Sequence, residues 1–287
     1  MPSLTPTCLS RHHLSRGTSA PHTDCLYEEA SRLSPTLVRG FSNGNISVVD
    51  RHSWLEVCDK KHRYGANLQA YYKLWKQCGS PKRDFFSWLD ADDGQVEVEG
   101  LPRTTLERET VQYFDKTERQ KFALAIRDGR LVTRWNDVPV DTGDEPWIFV
   151  LRDGVLYASE KVTHAAPRIH HTSLVGGECV QAAGMMVVSN GVLKTVYPHS
   201  GHYRPSEMEV LALLRFLAAS GIDLARVQVD VQRLQKLSRD VVNGKKVKKI
   251  DNAFFWPGDT TLAFLHHKER ACIADLLHSI ERAAHRR

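Results

Sequence analysis

The stretch SGHYRPSEME, residues 200–209, crowds hydroxyl, imidazole, phenol and guanidinium groups in front of the apolar run VLALLRFL. Part of it has a local purpose. Ser206 and Glu209, three residues apart, have the spacing of a capping box, in which each side chain meets an otherwise unpaired backbone N–H. Pro205 fixes the approach of the chain to that helix. Capping leaves Ser200, His202, Tyr203 and Arg204 over. A helix N-terminus attracts anions through its free N–H groups and its dipole. Arg204 adds a planar fork suited to phosphate or carboxylate, and His202 can exchange a proton near neutral pH. These groups either pack down the helix entrance, which is the favoured reading, or bind a phosphate-bearing small molecule with acid–base assistance.

Two further stretches hold similar groups. RIHHTSLVGGECVQAAG, residues 168–184, joins Arg168, His170, His171 and Ser173 to a Gly176-Gly177 turn. On a strand the two histidines would face opposite sides, so one alone could enter a cleft. Ser173 is a candidate nucleophile, although no acid stands at a known triad spacing to orient a histidine. DKKHRYGANLQAYY, residues 59–72, places His62, Arg63 and Tyr64 before Gly65. These residues either bind phosphate or nucleic acid, or form a polar helix start with Tyr64 packed inward, and the last reading is favoured.

The elements that must position these groups fall into two kinds. Leu68, Tyr71, Tyr72 and Trp75 fit one helical stripe, after a shorter one at Trp54, Leu55 and Cys58. A helix is expected over 104–114 and another from Thr117. The pattern then changes to period two. FALAIRDGRLVTRW, WIFVLRDGVLYASE and AAGMMVVSNGVLKTVY each turn at Asp-Gly or Asn-Gly, the pairs that supply the positive φ of a tight hairpin. A helix over roughly 206–220 follows, LARVQVDVQRL alternates as a last strand, and KERACIADLLHSIERAAHRR is helical, with Ile273, Leu276, Leu277 and Ile280 on one face. The fold class expected is α+β: N-terminal helices, then an antiparallel sheet of hairpins crossed by one helix, plus a C-terminal helix. Residues 1–45 read as a disordered Ser/Pro/His-rich segment, 46–235 as the core domain, and 236–287 as a basic turn and a helix packed on it.

Composition narrows the classes. The chain has 287 residues, a formal charge of +5 and fourteen histidines. That charge is too mild to argue for nucleic acid. No apolar run reaches membrane-spanning length. The six cysteines form no C-x-x-C pair, so reduced, buried thiols are expected and no metal centre is assigned.

DKKHRYGANLQAYYKLW, FFSWLDADDG, LERETVQYF, WIFVL, the block from His170 to Glu207, and FLAASGIDLARVQV occur in that order. They resemble the plant-type IQ-motif calmodulin-binding proteins, over about residues 50–232. The resemblance implies a cytoplasmic or nuclear protein that binds calmodulin without calcium and acts in signalling or stress responses, with no catalytic activity attached. The upstream stretch SRLSPTLVRGFSNGN keeps Leu37 before Arg39-Gly40 but lacks the Ile-Gln pair of an IQ motif, and Pro35, Gly40 and Gly44 oppose a helix. The C-terminal helix is a second place where calmodulin could dock, although Glu269, Asp275 and Glu281 dilute its basic charge and an ordinary helix docked on the sheet is the favoured reading.

Two functions therefore stand side by side. One is a signalling adaptor with an anion-binding cleft and no cofactor. The other is a transferase of the ADP-ribosyltransferase type using NAD, in which His170 or Arg168 holds the cofactor, Tyr203 stacks on nicotinamide and Glu207 orients the ribose hydroxyl. The candidate catalytic residues are His170, Ser173, His202, Tyr203 and Glu207. The candidate ligand-binding residues are His62, Arg63, Tyr64, Arg168, Ser200 and Arg204.

Overall fold

The structure is a computed structural model that describes residues 47, 49, 53–78, 84–91, 94–232 and 254–284. Among the described residues, four short-to-medium helices come first: α1 (Trp54–Cys58), α2 (Gly65–Gln77), α3 (Phe85–Leu89) and α4 (Arg103–Arg108). Three hairpins follow, β1–β2 (Ala123–Arg127, Arg130–Thr133), β3–β4 (Trp147–Arg152, Val155–Ser159) and β5–β6 (Ala182–Ser189, Val192–Tyr197). Then come α5 (Glu207–Ala219), β7 (Gln228–Asp230), β8 (Phe255–Pro257) and α6 (Gly258–Ala284). The strands form one sheet in the order β2-β1-β4-β3-β5-β6-β7-β8. Every neighbouring pair is antiparallel except β6 with β7, which α5 joins as a crossover. The α+β expectation is met.

All three hairpin turns adopt the backbone their sequences call for. Asp128-Gly129, Asp153-Gly154 and Asn190-Gly191 each have positive φ at both positions. Alternation then sorts the strands onto two faces. Phe149 and Leu151 of β3 join a core that α5 fills with Val210, Leu211, Leu213, Leu214 and Leu217, and to which α6 adds Leu265. Ile148 and Val150 point the other way, into a second core with Leu174, Val175 and Tyr203 from the connecting loops. A third cluster lies among the N-terminal helices, around Leu68, Tyr71, Trp75, Phe85 and Leu106. The loops that carry the candidate chemistry cover the second face.

Some elements depart from expectation. The helix anticipated over 104–114 stops at Arg108, because the next residues are extended to bridge neighbouring loops: Thr110 pairs with Arg63 and Val111 with Arg168. The helix anticipated from Thr117 is a short 3-10 turn, Glu118–Phe122. The final strand is brief, since 224–226 forms a 3-10 turn held by the Asp223 side chain on Ala225 N–H. The C-terminal helix starts at Gly258, ten residues before KERACIADLL, and the sheet runs on past residue 235, because β8 pairs with β7. Cys58, Cys78 and Cys272 are free thiols, whereas Cys179 is disulfide-bonded, which corrects the all-thiol expectation. The expected disordered segment at 1–45, the degenerate IQ stretch within it and the basic turn NGKKVKKIDN lie outside the described residues.

Candidate functional site

Three segments far apart in sequence meet over the second face of the sheet. They are α1, the loop at 168–175 and the turn at 200–204. Their point of contact is a buried carboxylate, Glu56, at 1% exposure. Its two oxygens are each held by a donor: the Tyr113 hydroxyl donates to Oε1 at 2.9 Å, and the Gly65 N–H donates to Oε2 at 2.9 Å. Gly65 opens α2 in a tight space beside the Glu56 side chain. A Cβ there would lie 3.2 Å from Glu56 Oε2 and 3.3 Å from its Cβ. His62 braces the arrangement from behind, stacking on Tyr113 with ring centroids 4.2 Å apart and donating from Nδ1 to the Glu56 carbonyl at 3.2 Å.

Two imidazoles complete the group. His202 Nε2 lies 3.7 Å from Glu56 Oε1, and its side chain keeps 17% of its exposure. The ring of His170 is 5.0 Å from that of His202 and edge-on to Tyr64 at 5.8 Å. One ligating atom each from Glu56, His170 and His202 lies within 4.8 Å of the other two. His170 is 4% exposed, and its Nδ1 is buried with no hydrogen-bond partner.

Burial, reinforced by the neighbouring His202, pushes the His170 imidazole down to about 4, so the ring is neutral at physiological pH. Burial would raise the Glu56 carboxyl, but His202 and the Gly65 N–H outweigh it and hold the group below its ordinary value, as a carboxylate. The centre thus combines one anionic oxygen donor with imidazole nitrogens, a set suited to a cation.

The remaining expected residues are placed as follows. His170 and His171 lie on a turn rather than a strand, and both are buried. His171 turns away from His170, with Nε2 donating to the Gly184 carbonyl at 2.8 Å; burial pushes it down to about 3 despite that bond. Ser173 Oγ accepts the backbone N–H of His170 at 2.9 Å. Ser200 Oγ likewise accepts the Tyr203 N–H at 3.2 Å. Tyr203 is fully buried, donates to the Glu178 carbonyl at 2.6 Å and has its hydroxyl pKa raised by burial. These three hydroxyls are committed to the loops that carry them.

Arg168 donates to the Thr163 carbonyl at 2.6 Å, pairs with Glu109 and covers the Tyr64 ring at 4.3 Å. Arg63 is fully buried among Asp59, Asp90 and Glu107, a structural ion-pair network. Arg204 is exposed, with φ +42°. Glu207 leaves the cleft for α6, where Lys268 Nζ meets it at 2.6 Å. Ser206 and Glu209 form the expected capping box. Of the expected set, His170, His202, Tyr64 and His62 gather at the centre. Glu56 was not among the candidates. Its only signal was a lone acid in the otherwise apolar helix WLEVC.

A family model described as the IQ motif-containing protein middle domain matches residues 118–210, from the turn before β1 to the first helical turn of α5. Among curated proteins of Arabidopsis thaliana, IQ domain-containing protein IQM2 is 36% identical over 195 residues, covering 65% of this chain and 32% of that protein. IQ domain-containing protein IQM5 is 38% identical over 183 residues, 63% of this chain and 36% of that protein. IQ domain-containing protein IQM3 is 36% identical over 198 residues, 64% of this chain and 42% of that protein. The chain therefore spans 32–42% of the length of these relatives. No solved structure matches it at comparable significance. Among the described residues, no helix is long and apolar enough to cross a membrane.

Proposed function

The central part of this chain belongs to the family of IQ motif-containing proteins, and on that premise we propose that it works as a calmodulin-linked signalling adaptor, with α6 as the calmodulin-docking element. The observation that carries this reading is the state of the second half of that helix. Its first half is fixed to the core: Leu265 is buried, Thr261 Oγ1 donates to the Pro257 carbonyl at 2.9 Å, and Arg215 pairs with Glu269. From Arg270 onward, every described side chain is exposed. Ile273 and Leu277, at 52% and 54% exposure, are four residues apart and lie on one stripe.

An amphipathic helix with an exposed apolar stripe is what a methionine-lined hydrophobic groove accepts. Lys268, Arg270 and Arg282 within this helix, with Arg286 and Arg287 after it in the sequence, supply the basic groups such partners favour. The nucleotide-transfer alternative needs Tyr203 and Glu207 on one cleft, and their side chains are engaged with Glu178 and Lys268 instead.

The test is calorimetric titration of calmodulin into the full chain, with calcium and with a chelator. Burying two apolar side chains at about 1.5–3 kcal/mol each makes the helix stripe worth more than tenfold in affinity. Binding in at least one condition is expected, weakened by at least about tenfold in Ile273→Asp/Leu277→Asp. No binding in either condition would reject the adaptor reading. Binding indifferent to the double substitution would reject α6 as the docking element.

A further inference from the structure

Glu56 stands more than a hundred residues of chain before His170 and His202, yet each of the three offers a ligating atom within 4.8 Å of the other two. We propose that these three side chains form a binding site for a divalent transition-metal ion of the zinc class, with its remaining coordination positions on the His202 side. Nothing in the calmodulin reading depends on this site, and the site does not depend on that reading.

The donor set is the first argument. Two imidazoles and one carboxylate are the three protein ligands of many open zinc sites and of two-histidine, one-carboxylate iron sites. Magnesium and calcium prefer all-oxygen shells, which this group does not offer. The geometry is the second. Zinc bonds of about 2.0–2.2 Å put tetrahedral donors roughly 3.3 Å apart. The Glu56–His202 pair at 3.7 Å is already near that spacing.

The centre also holds unmet hydrogen-bonding capacity. Buried polar atoms are nearly always partnered. His170 Nδ1 is buried and has no hydrogen-bond partner, on a side chain more than nine-tenths buried beside the other two ligands. The Glu56 carboxylate, by contrast, is oriented from behind by Tyr113 and Gly65, as outer-shell partners orient metal ligands. Access is supplied by His202, whose side chain retains 17% exposure, while Glu56 and His170 are closed off.

The test uses the full chain stripped with a chelator and then titrated with zinc, with magnesium as the control metal. One equivalent of zinc is expected to bind, with no response to magnesium. His202→Ala and Glu56→Gln are each expected to weaken zinc binding at least about tenfold, since even outer-shell changes cost 10–100-fold. The distant His278→Ala, on the exposed part of α6, leaves binding unchanged. Circular dichroism checks that the variants keep the parent fold. X-ray absorption of the zinc-loaded parent needs no variant at all: a shell of light nitrogen and oxygen atoms with imidazole scattering is expected. No zinc binding, binding equal in all three variants, or a sulfur shell would each overturn the proposal.

Discussion

Replacing Arg63 with methionine tests how the N-terminal helices are locked beneath the candidate site. The guanidinium is fully buried. Its Nε donates to Asp59 Oδ2 at 2.7 Å and its Nη2 to Asp59 Oδ1 at 3.0 Å, a bidentate pair. Its Nη1 donates to Asp90 at 2.7 Å and Glu107 at 3.0 Å. Burial alone would lower the Arg63 pKa, but Asp59 and Asp90 outweigh it and raise it, so the group stays charged. Asp59 is 2% exposed, whereas Asp90 and Glu107 are 39% and 36% exposed. Water can compensate the outer two carboxylates, so their loss contributes little. Asp59 cannot be compensated in that way.

Removing one partner of a buried pair costs about 3–5 kcal/mol. Asp59 keeps two backbone donors, the N–H groups of Lys61 at 3.2 Å and Arg63 at 3.0 Å, which places the expected loss near the lower end, about 3 kcal/mol. At about 2–4 °C per kcal/mol for a domain of this size, the melting temperature should fall by about 6–12 °C. Thermal denaturation followed by circular dichroism measures it. Adding Asp59→Asn should recover more than half of the loss, because the uncompensated charge disappears. A fall below about 2 °C, or a double variant as unstable as the sum of the two single ones, would refute the assignment of Arg63 to the packed scaffold.

Three further outcomes follow from the same geometry. Burial would raise the Asp90 and Glu107 carboxyls, but Arg63 and Lys61 outweigh it and hold both below their ordinary values of 3.8 and 4.5. Their contribution is therefore present above those values and lost as the pH falls through the lower folded ones. Acid titration of Arg63→Met should accordingly show a shallower loss of stability below about pH 4.5 than the parent, and an unchanged slope would contradict the pairing. Ser206→Ala removes the α5 cap that meets Met208 N–H at 3.3 Å; urea unfolding should register a loss of about 0.5–2 kcal/mol. Gly65→Ala presses a methyl against Glu56 Oε2 at 3.2 Å, so zinc affinity should drop by more than its effect on the melting temperature implies, as read by parallel calorimetry and melting.

The sheet was legible because its turns are chemically explicit. Asp-Gly and Asn-Gly can satisfy positive φ at low cost, so DG at 128–129, DG at 153–154 and NG at 190–191 fix three hairpins from local sequence alone. The capping box of Ser206 and Glu209 was legible for the same reason, since its hydrogen bonds close within one helical turn. What local sequence could not supply was the outcome of long-range pairing. Residues 109–112 carry a helical pattern but are pulled straight by bridges to Arg63 and Arg168. His170 and His202 were recognised as candidate chemistry, and Glu56 was not, because no spacing in the chain relates it to residues over a hundred positions away. Ser173, Ser200 and Tyr203 have the types of catalytic groups, yet the loops around them use their hydroxyls to stay folded.

The most direct measurement is X-ray diffraction of crystals of the zinc-loaded chain, recorded on either side of the zinc absorption edge. One anomalous peak is expected between Glu56, His170 and His202, within bonding distance of all three side chains. A peak placed elsewhere on the chain, with those three residues unbound, would contradict it.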